Sequence, residues 1–320
     1  FMVTHNEEDS TRGRANMLRE LFSNPRKGNI FDHQEIYEAL DLCLSCKACK
    51  SECPANVDMA KLKAEFLQHY YDKNGIPLRA RAVAYLPSIN KIGASVPGIT
   101  NFFLQNKATA GLLKKALGFA PARSIPALSP QPLARWQKKA QRHHRAATAP
   151  NGRVYLFNDE FTNYNDTSIG IKAIMLLTRL RYEVLITTHT ESGRTYFSKG
   201  LLRQARKKAE RNVKTLGHIV SEETPLVGIE PSAILGFRDE YPDIVGEKYA
   251  EGAKRLARWS FLFEEFIARE TDAGRIKQGQ FTDEKRHIKL HGHCQQKAVA
   301  STRPTLVSLA LPKNYTVEEI

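Results

Sequence analysis

Cys43-Leu44-Ser45-Cys46-Lys47-Ala48-Cys49-Lys50-Ser51-Glu52-Cys53-Pro54 gathers four of the chain's five cysteines into eleven residues. Its spacing, C-x2-C-x2-C-x3-C-P, decides what the first part of the chain is built for. Thiolates are soft ligands, and close spacing around a turn lets three of them converge on one iron–sulfur group. A structural zinc site more often pairs two separated C-x2-C knuckles, which this run lacks. The bland reading, four cysteines buried by coincidence, does not explain the spacing. In two-cluster ferredoxins with this run the fourth cysteine ligates the other cluster. Either Cys53 closes a single cluster with Cys43, Cys46 and Cys49, or a partner motif lies upstream of Phe1.

The residues around the run read as short capped helices. Ser10 is placed to cap Thr11–Phe22, with Met17, Leu18, Leu21 and Phe22 on one face. Asp32, with Glu35 three residues on, suggests a capping box for 36–42. Asp58 caps a helix that turns Leu62, Phe66, Leu67 and Tyr70 inward and stops at Gly75 and Pro77. From 76 to 126 helices are broken at Pro87, Pro97, Pro121 and Pro126. Ser129–Gly152, with Pro130, Pro132, Pro150 and a Lys/Arg/His run at 138–145, reads as a connection.

Beyond it the period changes. Val154–Phe157, Glu183–Ile186, Pro225–Ile229 and Ile288–Leu290 are short apolar runs. Helical patterns intervene at Ser168–Leu180, Lys199–Leu216 and Glu247–Arg269. Buried strands alternating with amphipathic helices predict an α/β layer with a mainly parallel sheet.

The chain has 320 residues, with 48 Lys and Arg against 34 Asp and Glu, a net charge of +14. The excess is local. The 86 residues Lys73–Asn158 contain fourteen Lys and Arg and no acid, and the remainder is balanced. The composition is that of a folded protein, no apolar run approaches the ~18 residues of a spanning helix, and the cysteine usage points to a reducing, cytoplasmic setting. Phe1 opens the chain without a signal-peptide pattern, and Thr316–Ile320 ends it on a β-prone segment; a piece of a longer protein is the simplest expectation.

Three stretches together carry a resemblance: Ser10-Thr11-Arg12-Gly13-Arg14-Ala15-Asn16, Leu44-Ser45-Cys46-Lys47-Ala48-Cys49, and His291-Gly292-His293-Cys294-Gln295-Gln296-Lys297-Ala298. Over essentially its whole length the chain resembles the C-terminal iron–sulfur portion of FAD-linked 2-hydroxy-acid dehydrogenases of the D-lactate/D-2-hydroxyglutarate type, related to the glycolate oxidase iron–sulfur subunit. The resemblance implies an α-helical ferredoxin-like domain at 1–128, the basic connection at 129–152, and an α/β cysteine-rich-type domain at 153–320, truncated at its C-terminus. It implies that FAD sits on an upstream flavin domain that oxidises the hydroxy acid, so this chain holds no catalytic residue. It further implies 4Fe-4S clusters in the parent, with Cys43, Cys46 and Cys49 on one and Cys53 as crossover ligand of the other. The site in this chain alone is then incomplete, and electrons pass onward to an acceptor such as quinone.

Members of the family carry Cys-Cys-Gly where this chain has Glu191-Ser192-Gly193, and Glu-Pro-Ser-Cys where it has Glu230-Pro231-Ser232-Ala233. Cys294 is kept and is a candidate further ligand beside His291 and His293; the plain alternative is a buried strand-end cysteine with two surface histidines. Glu191 reads as a structural or hydrogen-bonding residue, or else as a carboxylate standing in for a missing ligand, and Ser198 as a helix cap. Gly193–Lys199 is too unlike a phosphate loop to bind nucleotide, and Trp136, Trp259, Phe261, Phe263 and Phe266 read as core. Arg12 and Arg14 are candidates to steady the cysteinyl sulfurs, or else solvated helix-start arginines.

The acid-free segment has four readings: docking on the flavin domain, lying on anionic lipid on the inner membrane face, a plain solvated surface, and nucleic acid, the least supported because no binding motif accompanies it. Two rival functions stay open. One is a freestanding heterodisulfide-reductase-like electron-transfer subunit; the other is a zinc-containing basic module that binds nucleic acid.

Overall fold

Val154, Leu156 and Phe157 lose essentially all contact with water, and the strand that carries them, β1 (Arg153–Phe157), lies inside a parallel sheet. β2 (Glu183–Leu185) pairs on one side, β3 (Leu226–Gly228) on the other, and β4 (Ser260–Leu262) beyond β3. The order β2-β1-β3-β4 is that of a doubly wound α/β sheet. Successive residues face opposite sides. Phe157, Leu226 and Leu262 join one apolar cluster; Val154, Val227 and Phe261 join another, with Leu156 in a third beside Leu133 and Ile174. Helices Thr167–Arg179, Leu202–Leu216 and Ala250–Trp259 form the crossovers. The computed structural model describes residues 4–23, 31–140, 149–186 and 188–320. Phe1 and the His/Arg end of the 138–145 run lie outside the described residues.

Two expectations about the strands need correction. The predicted helix Glu247–Arg269 is Ala250–Trp259 and Phe263–Asp272 with β4 between them. Three residues inside a helical pattern, Ser260, Phe261 and Leu262, are too few to show a period; pairing with β3 decides it. The run at Ile288–Leu290 is a strand, β5 (Arg286–Leu290), but it pairs outside the main sheet, with β6 (Tyr315–Glu319) in a parallel ribbon. Its alternation of charged and apolar residues suits a half-exposed ribbon better than a sheet buried on both faces.

Ahead of the sheet, helices Thr11–Ser23, Gln34–Asp41 and Met59–Asn74 pack around Leu18, Leu21, Ile36, Leu40, Phe66 and Leu67. Tyr37 stacks on Tyr70 at 4.8 Å. Ser10 Oγ accepts from Gly13 N, and Asp58 accepts from Ala60 N and Lys61 N, so both expected caps are present. Asp32 is not a cap: the helix starts at Gln34, and Asp32 pairs with Lys73 and Asn74. Leu62 is exposed, and the buried stem of Lys63 lies in the core face of its helix instead. The prolines break the next segment into Leu78–Ala84, Leu86–Gly93, Pro97–Gln105 and Lys107–Leu117.

The same apolar cluster continues from Phe66 and Leu67 into Phe197, Leu201 and Ala205 of the α/β part. Gly200 lies at the crossing, with φ +71°; a Cβ there would meet Leu67 Cβ at 2.3 Å. Ser198 does not cap the helix that follows. It closes the short helix Arg194–Ser198, its Oγ donating to Thr195 O, and Leu202–Leu216 starts without a side-chain cap.

Candidate functional site: the cysteine turn and its lysine–carboxylate mount

The helix Gln34–Asp41 runs out at Leu42, and Cys43 N donates to Leu40 O. The chain then turns through two residues in the left-handed region, Ser45 (φ 54°) and Lys47 (φ 64°). Non-glycine residues in that conformation cost about 1–2 kcal/mol each, so the surroundings must hold them there. A one-turn helix, Ala48–Glu52, carries Cys49, and Cys53 ends it with its N–H on Cys49 O.

All five cysteines are free thiols; the four of the run are half-buried and Cys294 is exposed. The N–H groups of Val57, Ala55 and Asn56 are directed at the Cys53 sulfur and lower its pKa. Such amide donors stabilise a thiolate. Burial raises Cys49, against a hydrogen bond from Met59 N–H, and the charges of Cys43 and Cys46 are felt there. The four thiols are thus gathered on one turn. Their chemistry suits a thiolate-ligated group, yet among the described residues no three His, Cys, Asp or Glu side chains close around a common centre that would hold a metal ion.

The turn is held by its backbone carbonyls. Lys63, almost fully buried, donates to Cys43 O at 2.6 Å, and burial lowers its pKa. Ser45 O accepts from Arg194 Nη2 at 3.3 Å and from Gln295 Nε2 at 3.1 Å. Arg14 donates to Ala39 O, steadying the helix that leads into Cys43, while Arg12 pairs with Glu7 at the surface. Among the described residues neither arginine bonds a cysteine sulfur, and Arg14 acts through the backbone.

Lys47 is the pivot. Only 1% exposed, its ammonium meets Asp239, Glu240 at 2.9 Å and Asp58 at 3.2 Å. Asp239 also takes Lys50 and Lys61, and Glu240 takes Arg194 at 2.9 Å. The cations hold the Asp239 carboxyl far below the usual carboxylate range despite its burial, and the carboxylates raise Lys47. A cleft of about 170 Å³ opens beside this network, lined by Ser45, Lys47, Lys61, Arg194, Glu240 and Asp243. Its cations are already paired, which argues against a free-anion site.

The second half of the chain reaches the turn too. The helix that begins at Cys294 packs on Ala48–Glu52. Cys294 is exposed rather than buried at a strand end, because the ribbon strand stops at Leu290 and His293 caps a helix, accepting from Gln295 N. His291 and His293 are both exposed. Glu191 has the hydrogen-bonding role expected of it, taking Thr190 Oγ1 and, at 2.8 Å, Lys208. Ala233 is core.

Sequence reading overlooked Lys47 and its partners, and a pair of acids at the C-terminal edge of the sheet. Asp159 and Glu160 follow β1 where the strand order reverses, and both are buried. Asp159 caps its own helix and accepts from Thr162 Oγ1; Glu160 accepts from Ser192 N and Oγ at 2.9 and 2.7 Å. Burial pushes Asp159 to about 6 and Glu160 to about 7. Two acids one residue after an apolar run, beyond Asn158, were a usable signal for this edge.

Compared with curated proteins, the chain is 29% identical over 227 residues to a D-2-hydroxyglutarate dehydrogenase of Haemophilus influenzae, covering 69% of this chain and 22% of that protein. It is similar to D-2-hydroxyglutarate dehydrogenases. The Escherichia coli protein of that name is 29% identical over 245 residues, with 73% of this chain and 24% of that protein covered. For the Pantoea ananatis protein the figures are 30% over 241 residues, 72% and 24%. The chain spans about a quarter of the length of the curated relatives it matches. No family model and no solved structure matches it. Among the described residues no helix is long and apolar enough to cross a membrane.

Proposed function

We propose that the chain is the electron-transfer portion of an FAD-dependent 2-hydroxy-acid dehydrogenase of the D-2-hydroxyglutarate type. The observation that carries the reading is the set of four free, half-buried thiols on one clamped turn, with amide N–H groups on the Cys53 sulfur. The named relatives support the oxidoreductase class. The partner is a flavin domain upstream in the same polypeptide or complex, and the final acceptor is a quinone-type molecule.

Cys43, Cys46 and Cys49 would hold one 4Fe-4S cluster and Cys53 would help hold a second. Such a group exchanges single electrons and so converts the two-electron output of a flavin into steps a one-electron acceptor takes. Lys63, Arg194 and Gln295 fix the carbonyls between the ligands, and the Val57, Ala55 and Asn56 amides favour the charged sulfur. Lys47, Lys50 and Lys61 are neutralised by carboxylates, so the turn does not carry a bare positive field.

Anaerobic reconstitution with iron and sulfide, followed by metal and sulfide analysis, tests the reading. The isolated chain is expected to load poorly and to reduce no dye with 2-hydroxy acids. The longer polypeptide is expected to hold iron and sulfide, with loss when Cys43, Cys46 or Cys49 is changed to Ser. About four irons held stably by the isolated chain would mean that Cys53 closes a single cluster. Stoichiometric zinc without sulfide would overturn the assignment.

A further inference from the structure

The helix Pro97–Gln105 has no charged residue and no buried one. Ile99, Phe102 and Phe103 stand at i, i+3 and i+4 on it, each more than half exposed. The pattern continues on either side: Ile89 and Ile92 on Leu86–Gly93 and Val96 at the cap precede it, and Leu112 and Leu113 follow on Lys107–Leu117, which packs against it. Single exposed apolar residues are normal, but consecutive stripes of them mark a surface that something covers.

The charge around these stripes narrows the choice of cover. Lys91, Lys107 and Lys115 are exposed, and Arg123 lies just beyond; none is in an ion pair among the described residues. The whole acid-free segment surrounds them. An uncharged apolar helix between helices bearing unpaired lysines combines the two signals of interfacial binding, apolar insertion and attraction to anionic headgroups.

We propose that Leu86–Gly93, Pro97–Gln105 and Lys107–Leu117 form a docking surface for an anionic lipid bilayer, with Ile99, Phe102, Phe103 and Leu112 entering the headgroup–acyl boundary and Lys91, Lys107 and Lys115 among the headgroups. The proposal stands apart from the redox reading, since it uses none of the cysteines. A protein face with acidic residues is the competing occupant.

Cosedimentation of the purified chain with vesicles of phosphatidylcholine, alone or with about 30 mol% phosphatidylglycerol, reads it directly. Binding is expected only with the anionic lipid, weakening as salt rises toward about 0.5 M. The double variants Phe102→Ser/Phe103→Ser and Lys107→Glu/Lys115→Glu are each expected to lower the partition coefficient at least about tenfold, with unchanged circular dichroism and unfolding midpoint. In a separate variant, Phe102→Trp, the indole fluorescence is expected to shift blue and to be quenched by brominated lipid. Failure to bind anionic vesicles, equal binding to neutral ones, or indifference to both double variants would overturn the proposal. So would protection of residues 97–117 from hydrogen exchange, without lipid, in a longer polypeptide containing the flavin domain, because a protein face would then own the surface.

Discussion

Replacing Lys47 by methionine keeps most of the buried stem and removes an ammonium that Asp58, Asp239 and Glu240 share. Removing one partner of a buried ion pair typically costs about 3–5 kcal/mol, because the remaining charge stays desolvated. Here the orphaning is partial. Asp239 keeps Lys50 and Lys61, Glu240 keeps Arg194, and Asp58 keeps two backbone N–H donors. With Asp243, which pairs with Lys61 at 2.5 Å, the network has four carboxylates against four cations, so losing Lys47 leaves one surplus negative charge and the expected loss is about 2–4 kcal/mol. At about 2.1 cal/mol/K per residue, the unfolding entropy of a 320-residue chain makes that a fall in Tm of roughly 3–6 °C.

The pH dependence sharpens the expectation. Asp239 is held below its unfolded pKa, so its contribution is present above about pH 4 and is lost as pH falls through the depressed value. Lys47 is raised, so its contribution is present below about pH 10 and is lost only at higher pH, as the raised value is passed. The gap between parent and Lys47→Met is therefore widest near neutrality and narrows as carboxylates are protonated in acid. Urea unfolding at pH 7 and at about pH 2.5 measures the cost and its narrowing in acid, and adding Glu240→Gln to Lys47→Met should recover part of the loss. A cost under about 1 kcal/mol at pH 7, or a gap that widens in acid, would refute the reasoning.

Other parts of the structure give further expectations. Asp159 and Glu160 are raised by burial to about 6 and about 7, so the folded state binds more protons than the unfolded one and stability falls as pH rises from about 4 to 7. Glu160→Gln should flatten that slope, read as the urea midpoint against pH; an unchanged slope would mean that Glu160 does not titrate in this window. Gly200→Ala meets Leu67 Cβ at 2.3 Å in a backbone conformation that L side chains avoid, and should cost more than about 2 kcal/mol in chemical denaturation. Tyr182→Phe removes a donor from buried Glu270, 2.5 Å away, but leaves Arg275 in place. Its cost should stay at about 2 kcal/mol, within the usual range of about 1.5–3 for a hydrogen bond to a charged group, and a loss above about 4 would show that Arg275 does not hold the acid alone.

The sequence exposes what is local and hides what is distant. The cysteine turn, the Asp58 cap and the first three strands are visible because spacing, capping chemistry and runs of apolar residues are short-range signals. β4 is hidden because Ser260–Leu262 sits between two helices whose pattern it continues. The mount of the turn is hidden for a different reason. Lys47 reads as one lysine among many, and its partner Asp239 lies 192 residues away. No periodicity links the two; only the packing of Asp239 and Glu240 beneath the turn does. Asp159 and Glu160 fall between these cases, since their place after β1 was legible but their burial was not.

The unbroken apolar cluster from Leu18 through Leu67 and Phe197 to Leu262 has a consequence for how the chain tolerates change. The orientation of the cysteine turn relative to the sheet is set by that interior and by the carboxylates that hold Lys47. The reach from the thiols to anything docked on the sheet side is therefore a spacing inherited through packing, so a substitution deep in that interior can alter the distance an electron must cover without touching a cysteine.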